Sequence, residues 1–182
     1  EELRPDARTE VEALRQQGYD VALLSGDAPE RVAALADAIG IPRSDAHGGR
    51  SPQGKAQWVR SAGAHDILMV GDGINDALVV GEAQCSGTPA TDRPFVAART
   101  DFYFISPGLA PVRLALTTAR RLRAVVRRNL AVAIAYNVVA VALAAAGLMT
   151  PLVCAVFMPV SSLTVILTTT RSLHGKGAPW KS

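Results

Sequence analysis

The sequence predicts a chain in two parts, an α/β parallel-sheet lobe over residues 1–106 and an all-α transmembrane hairpin after it. Three observations predict this. Short apolar runs at Val21-Ala22-Leu23-Leu24, Ile67-Leu68-Met69-Val70 and Phe102-Tyr103-Phe104-Ile105 alternate with helical patterns, the order that builds a parallel sheet. Residues 130–170 carry no charged side chain, and about 20 apolar residues suffice for one helical span. The charge divides in the same place. Residues 1–101 hold all 16 Asp and Glu against 10 Lys and Arg, a net of −6, whereas the rest holds nine Lys and Arg and no acid. Two parts so unlike in charge face different surroundings.

The elements follow in order. Ala7, Val11 and Leu14 recur at helical spacing and the pattern stops at Gly18. Val21–Leu24 reads as a buried strand ending in Ser25-Gly26-Asp27. Pro29 opens a helix that runs to Ile39 and closes at Gly40. Residues 41–50 read as loop with one short strand near Ala46. Pro52 starts a helix carrying Lys55 and Trp58. The strand ending at Val70 enters Gly71-Asp72-Gly73-Ile74-Asn75-Asp76, and a helix is expected from about Asn75 to Ala83. Residues 87–94 read as turns, and Phe102–Ile105 as a last strand. Pro107-Gly108 marks the boundary. No helix breaker follows Pro111 until Gly147, so one basic stalk helix, residues 107–129, is expected to run on into the membrane.

Gly147, Thr150 and Pro151 divide the uncharged stretch. Two spans are expected, roughly 130–148 and 151–170, within a membrane segment placed at 130–172 and followed by a tail at 173–182. Five arginines between Arg120 and Arg128 precede the first span, and Arg171, Lys176 and Lys181 follow the second. The positive-inside tendency puts both flanks, hence both termini, in the cytoplasm. The arginines abut a span and lack interleaved aromatics, so anionic headgroups are a better partner for them than nucleic acid. Cys85 and Cys154 form no disulfide framework, in keeping with a reducing cytosol.

The chemistry gathers at the carboxyl ends of the strands, where open parallel sheets bind ligands. Asp72 and Asp76 bracket a glycine turn. Two carboxylates held close repel unless a cation lies between them, and Mg²⁺ suits oxygen ligands of this kind. Ser25 offers a hydroxyl beside amide hydrogens, and Lys55 a point charge. Singly, Ser25 is an ordinary turn residue and Lys55 a solvated helix residue; together the three loops outline a phosphate site. The chain contains no Asp-Lys dipeptide and no Asp-x-Asp, so the usual nucleophile is missing. His47 and His65 read as loop or strand-edge residues.

Gly71-Asp72-Gly73-Ile74-Asn75-Asp76-Ala77 resembles the hinge motif of P-type ATPases, whose phosphorylation domain has a haloacid-dehalogenase-like (Rossmann-like) fold. Leu3-Arg4-Pro5, Leu24-Ser25-Gly26-Asp27 and Pro52 with Lys55 match that family in type, order and approximate spacing. The resemblance runs from residue 3 to about 173. It implies that Ser25, Gly26, Asp27, Lys55 and Asn75 belong to the phosphoryl-transfer site and that Asp72 and Asp76 serve Mg²⁺. It also implies that the phosphorylated aspartate and most of the ATP site lie upstream. This chain is then the C-terminal fragment of a longer ATPase and is inactive alone. The partners implied are membrane lipid, the upstream part of the same ATPase and a copper chaperone.

Tyr136-Asn137 falls within the first expected span and Met158-Pro159-Val160-Ser161-Ser162 within the second. Polar groups at that depth are costly and usually have a task, though serine and asparagine also bridge helices and methionine fills gaps. Neither span contains an acid, and thioethers favour Cu(I). As a set, Tyr136, Asn137, Met158, Ser161 and Ser162 resemble the ion site of Cu(I)-transporting ATPases, with Cu⁺ as cargo in a bacterial inner or plasma membrane. Pro159 would free the carbonyl of Ala155 and bend its helix; Cys154 faces either lipid or the site. There are departures from the family. Ala77-Leu78-Val79-Val80 stands for the usual Ala-Pro-Ala-Leu, Ser25 for a threonine and Thr168 for an asparagine, and residues 85–95 match weakly. The last leaves open a diverged subgroup, such as transporters supplying copper to cytochrome oxidase. Two other readings stay open: a membrane-anchored phosphatase of the same superfold, and a non-catalytic membrane module.

Overall fold

The computed structural model describes residues 3–71, 76–90 and 100–174, the side chains of Ala64, Cys154, Phe157, Met158 and 172–174 excepted. The chain divides into two units, Glu1–Arg113 and Leu114–Ser182.

In the first unit, helices and parallel strands alternate. Helix α1, Ala7–Gln16, buries Ala7, Val11 and Leu14, the stripe expected of a helix with one face on a core. Strand β1 is Leu23–Leu24. Helix α2, Pro29–Ile39, opens on a proline and buries Val32, Ala36 and Ile39; Gly40, at φ 80°, ends it in the left-handed region. Strand β2, Ala46–His47, pairs in parallel with β1. Helix α3 is Pro52–Ser61, strand β3 Leu68–Val70 and helix α4 Ala77–Val80. Ala7, Val11, Ala36, Ile39 and Ile41 form one core cluster, with Val21, Leu23, Ala46 and Leu109 packed against it.

A second sheet corrects the sequence reading. Residues 85–89, expected in part as turn, form strand β4, Cys85–Pro89, at the centre of a parallel β3-β4-β5 sheet; β5 is Phe102–Phe104. Gly87 and Pro89 read as turn residues, but both have a use in the strand. A side chain on Gly87 would collide with the ring of Phe102, so glycine admits the aromatic. Pro89 sits at the strand's last position, and Ala90 N–H resumes the pairing with Phe104 O at 2.8 Å. Asp101 secures the edge: its Oδ2 accepts from Ser86 N–H and Ser86 Oγ, both at 2.8 Å. The Ser86 hydroxyl holds the Asp101 carboxyl below its ordinary range.

A second correction concerns α4. The helix expected to reach Ala83 closes at Val80, and Glu82 and Ala83 are bonded back to Val79 O as turns. Its expected start, Asn75, lies outside the described residues.

In the second unit, helix α5, Ala110–Ala145, begins inside the first unit and runs without a break. Its 36 residues span about 54 Å. Among the described residues it is the one helix long and apolar enough to cross a membrane. Gly147, at φ 73°, makes the expected turn, and helix α6 is Pro151–His174, with Pro159 inside it. Near the far end of α6, Asn129 Nδ2 donates to Thr169 Oγ1 at 2.8 Å and Arg128 Nη2 to Thr168 O at 2.9 Å.

Candidate functional site

Helix α3 carries the site's cation, and its start is well specified. Ser51 caps it, Oγ accepting from Gly54 N–H at 3.1 Å, and Pro52 takes the first turn, where no N–H is needed. Lys55 follows one turn in. Its Nζ lies 2.7 Å from Asp76 Oδ1, and the two side chains are only 12% and 13% exposed. An ammonium and a carboxylate so far out of water require each other, because removing either leaves a stranded charge.

The opposite wall is built from β3. A Cβ on Gly71 would stand 2.9 Å from Asp76 Oδ2, so glycine gives that oxygen its room. Arg60 on α3 pairs with Glu82 beyond α4, which braces the two elements and holds the Glu82 carboxyl below its usual range.

The Ser25 loop is stitched to the entry of the same helix. Ser25 N–H donates to His47 O at 3.0 Å, Arg50 N–H to Ser25 O at 3.0 Å, and Gly49 N–H to Asp27 O at 2.6 Å. A Cβ on Gly26 would meet Arg50 O at 3.5 Å. The Ser25 hydroxyl accepts from Asp27 N–H at 3.2 Å, which shapes its own turn. Two of the three expected loops therefore meet at residues 49–51, and Lys55 joins the third through Asp76.

Asp72 and Asn75 lie outside the described residues. Asp76, expected as a metal ligand, spends one oxygen on Lys55 and keeps Oδ2 on the Gly71 side. A single hard oxygen donor in that position fits part of a Mg²⁺ shell. Among the described residues no group of three or more His, Cys, Asp and Glu could hold a metal ion.

Between α5 and α6 of the second unit is a cleft of about 600 Å³, lined by Tyr136, Asn137, Ser161 and Ser162 together with Val132, Val160 and Val165. Four of the five residues expected at the ion site thus share one cavity; the side chain of Met158 lies outside the described set. Thr164 Oγ1 turns back to Val160 O at 2.7 Å, as hydroxyls in apolar helices commonly do.

The Lys55–Asp76 pair was not foreseen, since the sequence read the two as separate ligands of phosphate and metal. Asp6 and Glu10 were also missed. Asp6 Oδ2 accepts from Leu109 N–H at 2.6 Å, and Glu10 Oε2 from Arg113 Nε at 2.5 Å. Both partners are 103 residues away, beyond any local signal.

A haloacid dehalogenase-like hydrolase family model matches residues 1–83. The first unit has the haloacid-dehalogenase-like fold. Nitrogen fixation protein FixI of Rhizobium meliloti (strain 1021) is 43% identical over 181 residues, covering 96% of this chain and 24% of that protein. A copper-exporting P-type ATPase of Mycobacterium tuberculosis (strain ATCC 25618 / H37Rv) is 35% identical over 172 residues, 93% of this chain and 22% of that protein. The crystal structure of a zinc-transporting PIB-type ATPase superposes with a TM-score of 0.88 at 24% identity, over 96% of this chain and 28% of that one; it bears on the fold. The chain is homologous to heavy-metal P-type ATPases. It spans about a quarter of the length of the curated relatives it matches.

Proposed function

We propose that the chain is part of an ATP-driven Cu(I)-transporting P-type ATPase. Its first unit completes the phosphate site, and its helical hairpin supplies part of the ion path. The observation that carries this reading is the cleft lined by Tyr136, Asn137, Ser161 and Ser162 on two helices without an acid. Such a lining offers no carboxylate to a hard cation, and the sequence carries Met158 three residues before Ser161; a thioether is the donor class that selects Cu(I). Helix α6 serves as the second span. It has 24 residues, about 36 Å, and no charge before Arg171.

In the first unit, Lys55 holds a point charge where phosphoryl oxygens gather, and its bond to Asp76 fixes the ammonium in place. The Ser25 loop, tied to residues 49–51, presents its hydroxyl and amide hydrogens to the same group. Asp76 with Asp72 would hold Mg²⁺, which when bound offsets the negative charge of the phosphoryl oxygens. The chain has no Asp-Lys dipeptide, so the phosphorylated aspartate belongs to a segment upstream, and the 182 residues alone hydrolyse no ATP.

The test is cation-stimulated ATP hydrolysis by the whole gene product that carries this chain. Stimulation by Cu⁺, abolished in Met158→Ala, is the expected result. Stimulation by Zn²⁺ and not by Cu⁺ overturns the assignment of the ion.

A further inference from the structure

Asp6 stands at the amino end of α1, where an aspartate ordinarily accepts hydrogen bonds from its own helix. Here its side chain makes no such bond. Oδ2 accepts instead from Leu109 N–H at 2.6 Å and Ala110 N–H at 3.3 Å, and so caps the start of α5. Oδ1 is buried with no partner; the carboxylate is committed to the distant helix and to nothing else.

One turn further along both helices the connection is repeated with charges. Glu10, 7% exposed, accepts from Arg113 Nε at 2.5 Å and Nη2 at 3.2 Å. Leu109 packs on the core cluster that contains Ala7 and Val11. Gly108 completes the fit: its φ is 88°, and a Cβ there would run into the Asp6 carboxylate. One bond between two helices leaves them free to turn about it. Two bonds a turn apart, with an apolar contact beside them, fix both the axial position and the rotation of α5's first turn.

We propose that Asp6 and Glu10 are positioning residues that make the first turn of α5 follow α1 during the transport cycle. The proposal rests on the transporter reading above. The route from the phosphate site is short. The Ser25–Asp27 loop leads directly into α2, α2 packs on α1 through Ala36 and Ile39 against Ala7 and Val11, and α1 holds α5. Contiguity alone does not establish coupling, so the test measures coupling itself.

The whole gene product is placed in lipid vesicles, and Cu⁺ transported per ATP hydrolysed is measured beside phosphoenzyme formed from inorganic phosphate. Asp6→Ala and Glu10→Gln should each lower the ions moved per ATP at least fivefold while phosphoenzyme stays within twofold of wild type. Asp6→Ser, which restores a capping hydroxyl, should recover at least half the loss. An unchanged ratio in Asp6→Ala and Glu10→Gln overturns the positioning role of Asp6 and Glu10 and leaves the transporter reading standing. So does a loss in which transport, hydrolysis and phosphoenzyme fall together, Asp6→Ser included, because that is the mark of a merely structural role. A wild-type protein without cation-stimulated hydrolysis overturns the transporter reading and this proposal with it.

Discussion

The two units meet opposite electrostatic problems. In the α/β unit, charged groups are placed against partners: Lys55 on Asp76, Arg113 on Glu10, Arg60 on Glu82, Arg43 on Asp37. In the helical unit the acids are gone, and polar contacts include a guanidinium on a carbonyl, Arg128 to Thr168, and hydroxyl and amide bonds, as in Asn129 to Thr169 and Thr168 to Thr164. On the proposed function, a site for phosphate in water needs charge and must balance it. A path through hydrocarbon is cheapest without it. The comparison teaches that the same residue type has opposite costs in the two units, and substitutions can test that.

The largest expected effect comes from stranding a charge in the first unit. Asp76→Ala leaves the Lys55 ammonium without its carboxylate at 12% exposure; the loss should be about 3–5 kcal/mol, read as a lower urea midpoint of the detergent-solubilised chain. The double variant Lys55→Met with Asp76→Leu should regain most of it, since a well-packed apolar pair can replace an ion pair. A loss below about 1 kcal/mol in Asp76→Ala, the range of exposed pairs, would break the comparison on the aqueous side.

Next comes the converse change in the second unit. Ser161→Asp puts an acid in the cleft of α5 and α6 and should disfavour membrane insertion by about 2.5–3.5 kcal/mol in a translocon assay. Insertion equal to wild type would remove α6 from the list of spans.

A smaller effect sharpens the account of β4. Gly87→Ala meets the ring of Phe102 and should cost about 1–3 kcal/mol by overpacking, partly regained by adding Phe102→Leu. If Gly87→Ala were neutral in urea melts, the explanation of glycine in that strand would fail.

The mildest effect is one of pH. The Ser86 hydroxyl keeps the Asp101 carboxyl low, so the folded state holds its proton less tightly than the unfolded chain. Stability from this pair is complete above the unfolded-state value, near ~4, and is lost as pH falls through the lower folded value. Asp101→Asn should flatten the acid side of the stability profile and leave its neutral side with a uniform deficit. An acid limb as steep as wild type would assign the dependence to other carboxyls.

Much of the frame was legible in residues that act locally. Gly18, Gly40 and Gly147 stop helices where they stand, Pro29 and Pro52 start them, and the uncharged run after Arg128 marks the apolar helices. Strand β4 was hidden because its composition, with Gly87 and Pro89, reflects the ring across the sheet and not the strand itself. The Ser25, Lys55 and Asp76 loops could be chosen by residue type, but not the bond from Lys55 to Asp76, since type cannot say which ligand is committed to another. Asp6 carried no signal at all in the sequence, because the amide it caps belongs to Leu109, 103 residues away.

That long reach has a consequence for the order of assembly. A chain is synthesised from its amino end, so Asp6 and Glu10 must wait for partners made 103 residues later. Closing a loop of that length carries an entropic cost whose length-dependent part is about 4 kcal/mol. The seam between Asp6 and Leu109 can therefore form only after every strand of the α/β unit has been synthesised.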